Sequence, residues 1–237
     1  MRNKKLSIIV CLSFLLLFTS FNSSERSAWN VEMYDQYTYK SYTSYEAFSE
    51  NLDSKTLDIP LLNAAIFYET NRERAKKKLP LFIYSKEAER ASLLHSEDMS
   101  KGDFFSHSNP QKGRETTSKR LEKEGVHWQV CAENIAIGLM YPLEDQSYFP
   151  PSVNKGYFSL EYQGKPITIR TYAKMAVQIV KMWMDSKPHR ANILNPKFTH
   201  LGCGNYPKKV KKQDQVPQVY STQNFFTYFK EDEGQNK

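Results

Sequence analysis

The stretch AENIAIG, residues 132–138, places a carboxylate, Glu133, beside an amide, Asn134, inside a run that is otherwise small and apolar. Such a run belongs in a core, and a carboxylate taken into a core is costly unless something pairs with it. The chain offers partners on both sides of it: FSH, ending at His107, and SKPHRANIL, carrying Ser186 and His189. Three short polar-in-apolar segments, far apart in sequence, are therefore expected to converge on one site.

Working outward, helical spacing flanks these segments. Residues 57–78 set Leu62, Ala65 and Ile66 on one face before Leu79-Pro80 ends the pattern. A second helix is expected from Ser85, an N-cap residue type, to Gly102. On it Ala88, Ala91, His95 and Met99 share the core-facing line, so His95 reads as a satisfied core histidine, with Asp98 beside it. DFFSHSNP, 103–110, reads as an ordered loop displaying His107, and a short helix follows over 117–124. Residues 171–186 return to helical spacing, with Ala176, Ile179, Val180 and Trp183 as the buried stripe, until Lys187-Pro188 breaks it. Strands are expected near 200–206 and 219–229, around a lysine-rich loop. Between them, 141–170 reads as an inserted hairpin, from alternation at 157–162 and 166–170 about Gln163-Gly164. Helices first and antiparallel strands late argue for an α+β layered domain rather than a doubly wound parallel sheet.

The totals agree with one generous domain: 237 residues, 40% hydrophobic and 25% charged, rich in Tyr (15) and Phe (14). Residues 1–22 run from a basic cluster through an apolar stretch to small polar residues, the layout of a secretory signal peptide. Its apolar run is too short to span a bilayer comfortably, so the mature chain is expected outside the cytoplasm, secreted or periplasmic, without a transmembrane anchor. Arg2, Lys4 and Lys5 lie within it, so the formal charge of +7 falls to +4 on its removal. The lysine runs at 76–78 and 208–212 lack interleaved aromatics. They read as a solvated face that excludes nucleic acid as a partner and leaves only attraction to an anionic envelope or polymer at low salt. A Tyr-rich extension, 23–56, has no clear period and is either poorly ordered or draped over the domain.

The motifs LLHSEDM (93–99), FSHSNP (105–110), AENIA (132–136), WMDSKPHRANILNPKFTHLGCG (183–204) and YSTQNF (220–225 and onward) occur in the order of one family. The chain resembles the CAP superfamily, the SCP-domain proteins that include cysteine-rich secretory, antigen 5 and pathogenesis-related proteins, in its bacterial extracytoplasmic branch. The resemblance covers 57–229 and leaves the extension, the 141–170 insertion and the polar tail 230–237 outside the family pattern. It implies an α-β-α sandwich with a central antiparallel sheet and a polar cleft. Carried over by motif, His107, Glu133 and His189 line that cleft. Ser186 takes a fourth position, where other members have a glutamate.

Two imidazoles and a carboxylate suit zinc or another divalent metal, so His107 and His189, with Glu133 nearby, are candidate ligands. A hydrogen-bonded polar cluster that orders three loops is the structural alternative. Ser186 and His189 lack the GxSxG turn of a serine hydrolase, and Pro188 lies between them. Cys131 and Cys203 are the two cysteines of the mature chain, an even count that in an exported protein favours a disulfide over two buried thiols. Three functions follow: a binding module for a metal, a small apolar ligand or an envelope component; a metal-dependent hydrolase with Glu133 as base; or an envelope interaction protein that uses the extension as its contact.

Overall fold

The computed structural model describes residues 29–144, 146–210, 212 and 214–229; the signal-peptide reading and the polar tail lie outside them. Each principal helix begins where a side chain satisfies a backbone N–H that has no partner within the helix. Asp58 accepts from Leu61 N at 3.1 Å to open α1 (Ile59–Lys76), and Ser85 accepts from Ala88 N at 3.1 Å to open α2 (Lys86–Gly102). Thr116 and Thr171 do the same for α3 (Thr117–Lys123) and α4 (Tyr172–Asp185). α2 stops at Gly102, as expected, but its C-cap is Asp103, at φ 53° in the left-handed region that aspartate tolerates better than most residues. The break at Lys187-Pro188 starts a new helix, α5 (Lys187–Ile193), with the proline in its first turn, where its missing N–H costs little.

The sheet has the order β1-β3-β4-β2, with β1 (Ile83–Tyr84), β2 (Trp128–Leu139), β3 (His200–Pro207) and β4 (Gln218–Tyr228). The long pairings are antiparallel, as expected; β1 adds a two-residue parallel edge beside β3. α2 and α3 cover one face, and α1, α4 and α5 the other, giving the α-β-α sandwich. Gly202 and Gly204 set the spacing of the first two layers. A methyl group on either would lie 1.9–2.0 Å from the α2 backbone, at Glu89 N or Leu93 N, so the helix lies directly on β3 only because no side chain intervenes. Ser92 and Ser96 then donate from α2 to the Gly202 and Gly204 carbonyls at 3.0 and 2.9 Å.

The same alternation corrects the disulfide. Cys131 faces α2 and α3 with Leu121 and Phe226, whereas Cys203 faces α1 among Leu201 and Phe225. β4 separates their strands, with Cys131 opposite Phe226 and Cys203 opposite Gln223. Two strand spacings, roughly 10 Å, exceed the ~7 Å Cα separation a bridge can span. Both cysteines are free thiols, and burial raises the thiol pKa at each, to about 11 at Cys131 and further at Cys203.

Of the two alternatives for the extension, its described part takes the draped form. Trp29, Tyr42 and Phe48 are buried against α1, Tyr42 stacking on Tyr68 at 5.3 Å between ring centroids. Tyr34 stacks on Tyr84 at 3.6 Å and donates to Glu89 at 2.8 Å. Tyrosine serves here because it contributes apolar area while its hydroxyl reaches a polar partner.

The hairpin expected in 141–170 is absent among the described residues. One isolated bridge joins Phe149 to Ser159, and the two alternating stretches meet only through Ile167 N on the Phe158 carbonyl. Lys155, Gly156 and Gln163 take positive φ, which breaks extended pairing. The apolar residues of the insertion instead build a small separate core in which Leu143 and Phe158 pack on Val216.

Candidate functional site

β2 is an edge strand, and its alternating side chains reach both helical layers. Glu133 points toward α2 and α3; Asn134 points toward α5. The site therefore wraps the sheet edge, with His107 delivered from the loop after α2 and His189 from α5.

Glu133 has little solvent and two strong partners. Its Oε1 accepts from His107 Nδ1 at 2.8 Å, and its Oε2 accepts from Arg120 Nη2 at 2.6 Å. The Arg120 and Glu133 side chains are 1% and 2% exposed. Burial alone would raise the carboxyl pKa. The His107 hydrogen bond and the Arg120 charge outweigh it and hold Glu133 below the usual carboxylate range. An ionised carboxylate can only accept, so His107 donates to it from Nδ1, on a side chain that is 55% exposed.

Arg120 is the residue that sequence reasoning missed. It is the buried guanidinium of α3 and also donates to the Arg114 and His107 carbonyls at 2.8 and 3.2 Å, so it fixes the loop that carries His107. The signal lay in the cost of burying Glu133: a neutral imidazole alone does not balance a carboxylate in a core, and the nearest cation beside an apolar residue is Arg120, next to Leu121.

His95 is the satisfied core histidine its position predicted. Nε2 donates to the Ser106 carbonyl at 3.1 Å, and Nδ1 accepts from Asn109 Nδ2 at 3.2 Å, which defines a neutral ring. Burial lowers its pKa to about 4, against the pull of Glu133. Asn109 also donates to Asp98 at 2.7 Å, and Arg114 pairs with Asp98 at 3.1 Å, so the His107 loop is tied to α2 at several points.

On the other face Asn134 reaches across to α5. Its Nδ2 donates to the His189 carbonyl at 3.1 Å, and its Oδ1 accepts from Asn192 at 2.9 Å. It thus pins α5, and His189 with it, to β2; Trp183 Nε1 on the Ile135 carbonyl, 3.1 Å, adds a clamp from α4. His189 is half-buried, and burial followed by the charge of His107 lowers its pKa. Ser186 sits at the α4–α5 junction, where its carbonyl accepts from Arg190 N at 2.8 Å. Among the described residues its hydroxyl bonds to none of the other three.

The donor set bears on a metal. Both Glu133 oxygens are engaged inside the protein, one by a guanidinium, so as arranged Glu133 is not free to ligate. What remains is His107 Nε2 and His189. Among the described residues no group of three or more His, Cys, Asp or Glu is disposed to hold an ion.

A domain of three layers with a histidine-lined edge and a glutamate held in an interior ion pair defines the class: an α+β sandwich of the SCP type. The family model described as cysteine-rich secretory protein family (CAP) matches residues 67–225, and the chain belongs to that family. It is 28% identical over 135 residues to the uncharacterized protein YkwD of Bacillus subtilis (strain 168), across 57% of this chain and 38% of that protein. It is 28% identical over 156 residues to the uncharacterized membrane protein YlbC of the same organism, across 66% and 32%. The chain thus spans about a third of the length of these curated relatives. Among solved structures, an extracellular protein containing a SCP domain from Bacillus anthracis str. Ames matches with TM-score 0.48 and 25% identity, covering 72% of this chain and 41% of that one. An outer surface protein from Borrelia burgdorferi matches with TM-score 0.47 and 13% identity, covering 76% and 99%. Among the described residues no helix is long and apolar enough to cross a membrane.

Proposed function

We propose that the chain is an extracytoplasmic binding module whose recognition surface is the cleft at the β2 edge. His107 Nε2 and His189 would meet the ligand, an envelope component or small molecule, while Glu133 and Arg120 act from behind them. The observation that carries this reading is the engagement of Glu133. A general base needs a carboxylate free to take a proton from water or substrate, whereas Glu133 already accepts from His107 and Arg120 and is held ionised by them. The hydrolase reading loses Glu133 as its base, and on the binding reading the β2 edge offers two imidazoles to a ligand. Export rests on the layout of residues 1–22. The reading of the extension as a partner contact is disfavoured by its aromatics, which are spent on the domain's own core.

The test is co-sedimentation of the purified protein with insoluble cell-wall material, with soluble products measured in parallel. Retention without product release, weakened in His107→Ala and His189→Ala, is expected. Steady release of peptide or sugar, abolished by Glu133→Gln in a folded variant, would overturn the binding-module reading in favour of the hydrolase.

A further inference from the structure

A second concave surface lies at the far end of the sheet from His107, where β3 runs out at Tyr206 and Pro207. Tyr206 pairs with Tyr220, four residues along β4 from the Asn224 that faces Glu133, or roughly 14 Å at strand spacing. The groove holds about 540 Å³, within the range of ligand-binding clefts. Three segments distant in sequence bring lysines to it: Lys55 before α1, Lys101 in the last turn of α2, and Lys208 and Lys209 after β3. No aspartate or glutamate lines it among the described residues. Lys101 is balanced by Glu97 at 2.6 Å; among the described residues Lys55, Lys208 and Lys209 form no ion pair. The floor is apolar: Tyr206 and Pro217 are half-buried, Lys101 Nζ lies 5.9 Å from the Tyr206 ring centroid, and Phe158 closes the floor as a buried side chain.

The groove is held by specific bonds. Ser100 donates to the Pro207 carbonyl at 2.7 Å, Lys208 N to the Gln218 carbonyl at 2.8 Å, and Ser152 N of the insertion to Asp214 at 2.9 Å. Phe158 comes from the insertion, so a segment outside the family pattern helps to line the groove.

We propose that this groove binds an anionic polysaccharide. Lysines along an open groove match the repeated charges of an extended polyanion. The partly exposed Tyr206 and Pro217 rings between them match the flat C–H faces of sugar rings, which a polypeptide polyanion lacks. The groove shares no lining residue with the histidine edge, and it turns the lysine-rich loop from a solvated face into a recognition element.

The test uses the full chain and dextran sulfate, with neutral dextran, poly-L-glutamate and phosphatidylglycerol vesicles as comparisons. Dextran sulfate is expected to bind with an affinity that falls steeply with salt. Lys208→Gln/Lys209→Gln weakens it about 25-fold, at roughly fivefold per lysine. Lys77→Gln/Lys197→Gln, which removes the same charge elsewhere, and His107→Ala leave it within twofold. Equal loss in both lysine pairs would mean general charge attraction and overturn the proposal. Binding of poly-L-glutamate or the vesicles as tight as that of dextran sulfate would overturn the sugar assignment, as would neutral dextran binding equally well.

Discussion

Replacing Arg120 with methionine removes the cation that faces Glu133 while keeping most of the side-chain volume. The pair is 2.6 Å apart with both side chains essentially dry, and removing one partner of a buried pair costs about 3–5 kcal/mol because the other charge is left uncompensated. The pH dependence follows from the same geometry. Glu133 has a depressed pKa in the folded protein, so its contribution is present above the unfolded carboxylate range and is lost as pH falls through the folded pKa. In Arg120→Met burial prevails, the carboxyl pKa rises, and protonation relieves the penalty. The variant should therefore be about 3–5 kcal/mol less stable than wild type at pH 7, and the gap should narrow toward pH 4.5. Glu133→Gln should also destabilise, and the double variant should fall short of the summed loss by at least about 2 kcal/mol, the signature of direct coupling. Urea unfolding followed by tryptophan fluorescence at both pH values measures all three. Additive losses, or a gap that does not change with pH, would show that the ion pair does not organise the site.

Other outcomes are equally specific. Gly204→Ala sets a methyl 2.0 Å from Leu93 N and should cost more than about 3 kcal/mol or prevent folding; a melting temperature within two or three degrees of wild type would refute the close-packed α2–β3 layer. His95 is held neutral to about pH 4. The unfolded chain therefore binds that proton first, and stability should fall by about 3 kcal/mol as pH drops from 6.5 to 4; His95→Gln should flatten this part of the profile. Cys131 and Cys203 should react with a thiol reagent slowly in the native protein and fully in denaturant without reductant, and a reducing agent should leave thermal stability unchanged.

The sequence told much of the fold through residues whose local chemistry is unambiguous. Ser85 and Pro188 act where capping and proline rules put them, and the Trp183 stripe packs as its period requires. The pairing of His107 with Glu133 was legible because a carboxylate in an apolar run must find partners. Arg120 was not, since a lone arginine in a seven-residue helix looks like any surface cation until its surroundings are known. The disulfide reading failed for a geometric reason. Cysteine count carries no information about which face of a sheet each thiol occupies, and here the faces are opposite. The insertion misled because alternation at 157–162 reflects packing of Phe158 into a small separate core rather than strand pairing.

The tautomers of His107 and His95, read from long-range ¹⁵N–¹H NMR correlations at about pH 8, test the organisation of the site most directly. Glu133 as an ionised anchor predicts a proton on His107 Nδ1 with Nε2 bare, and a proton on His95 Nε2. A His107 ring protonated on Nε2 would contradict it, because that nitrogen would no longer be an open acceptor and the carboxylate would be free for another role.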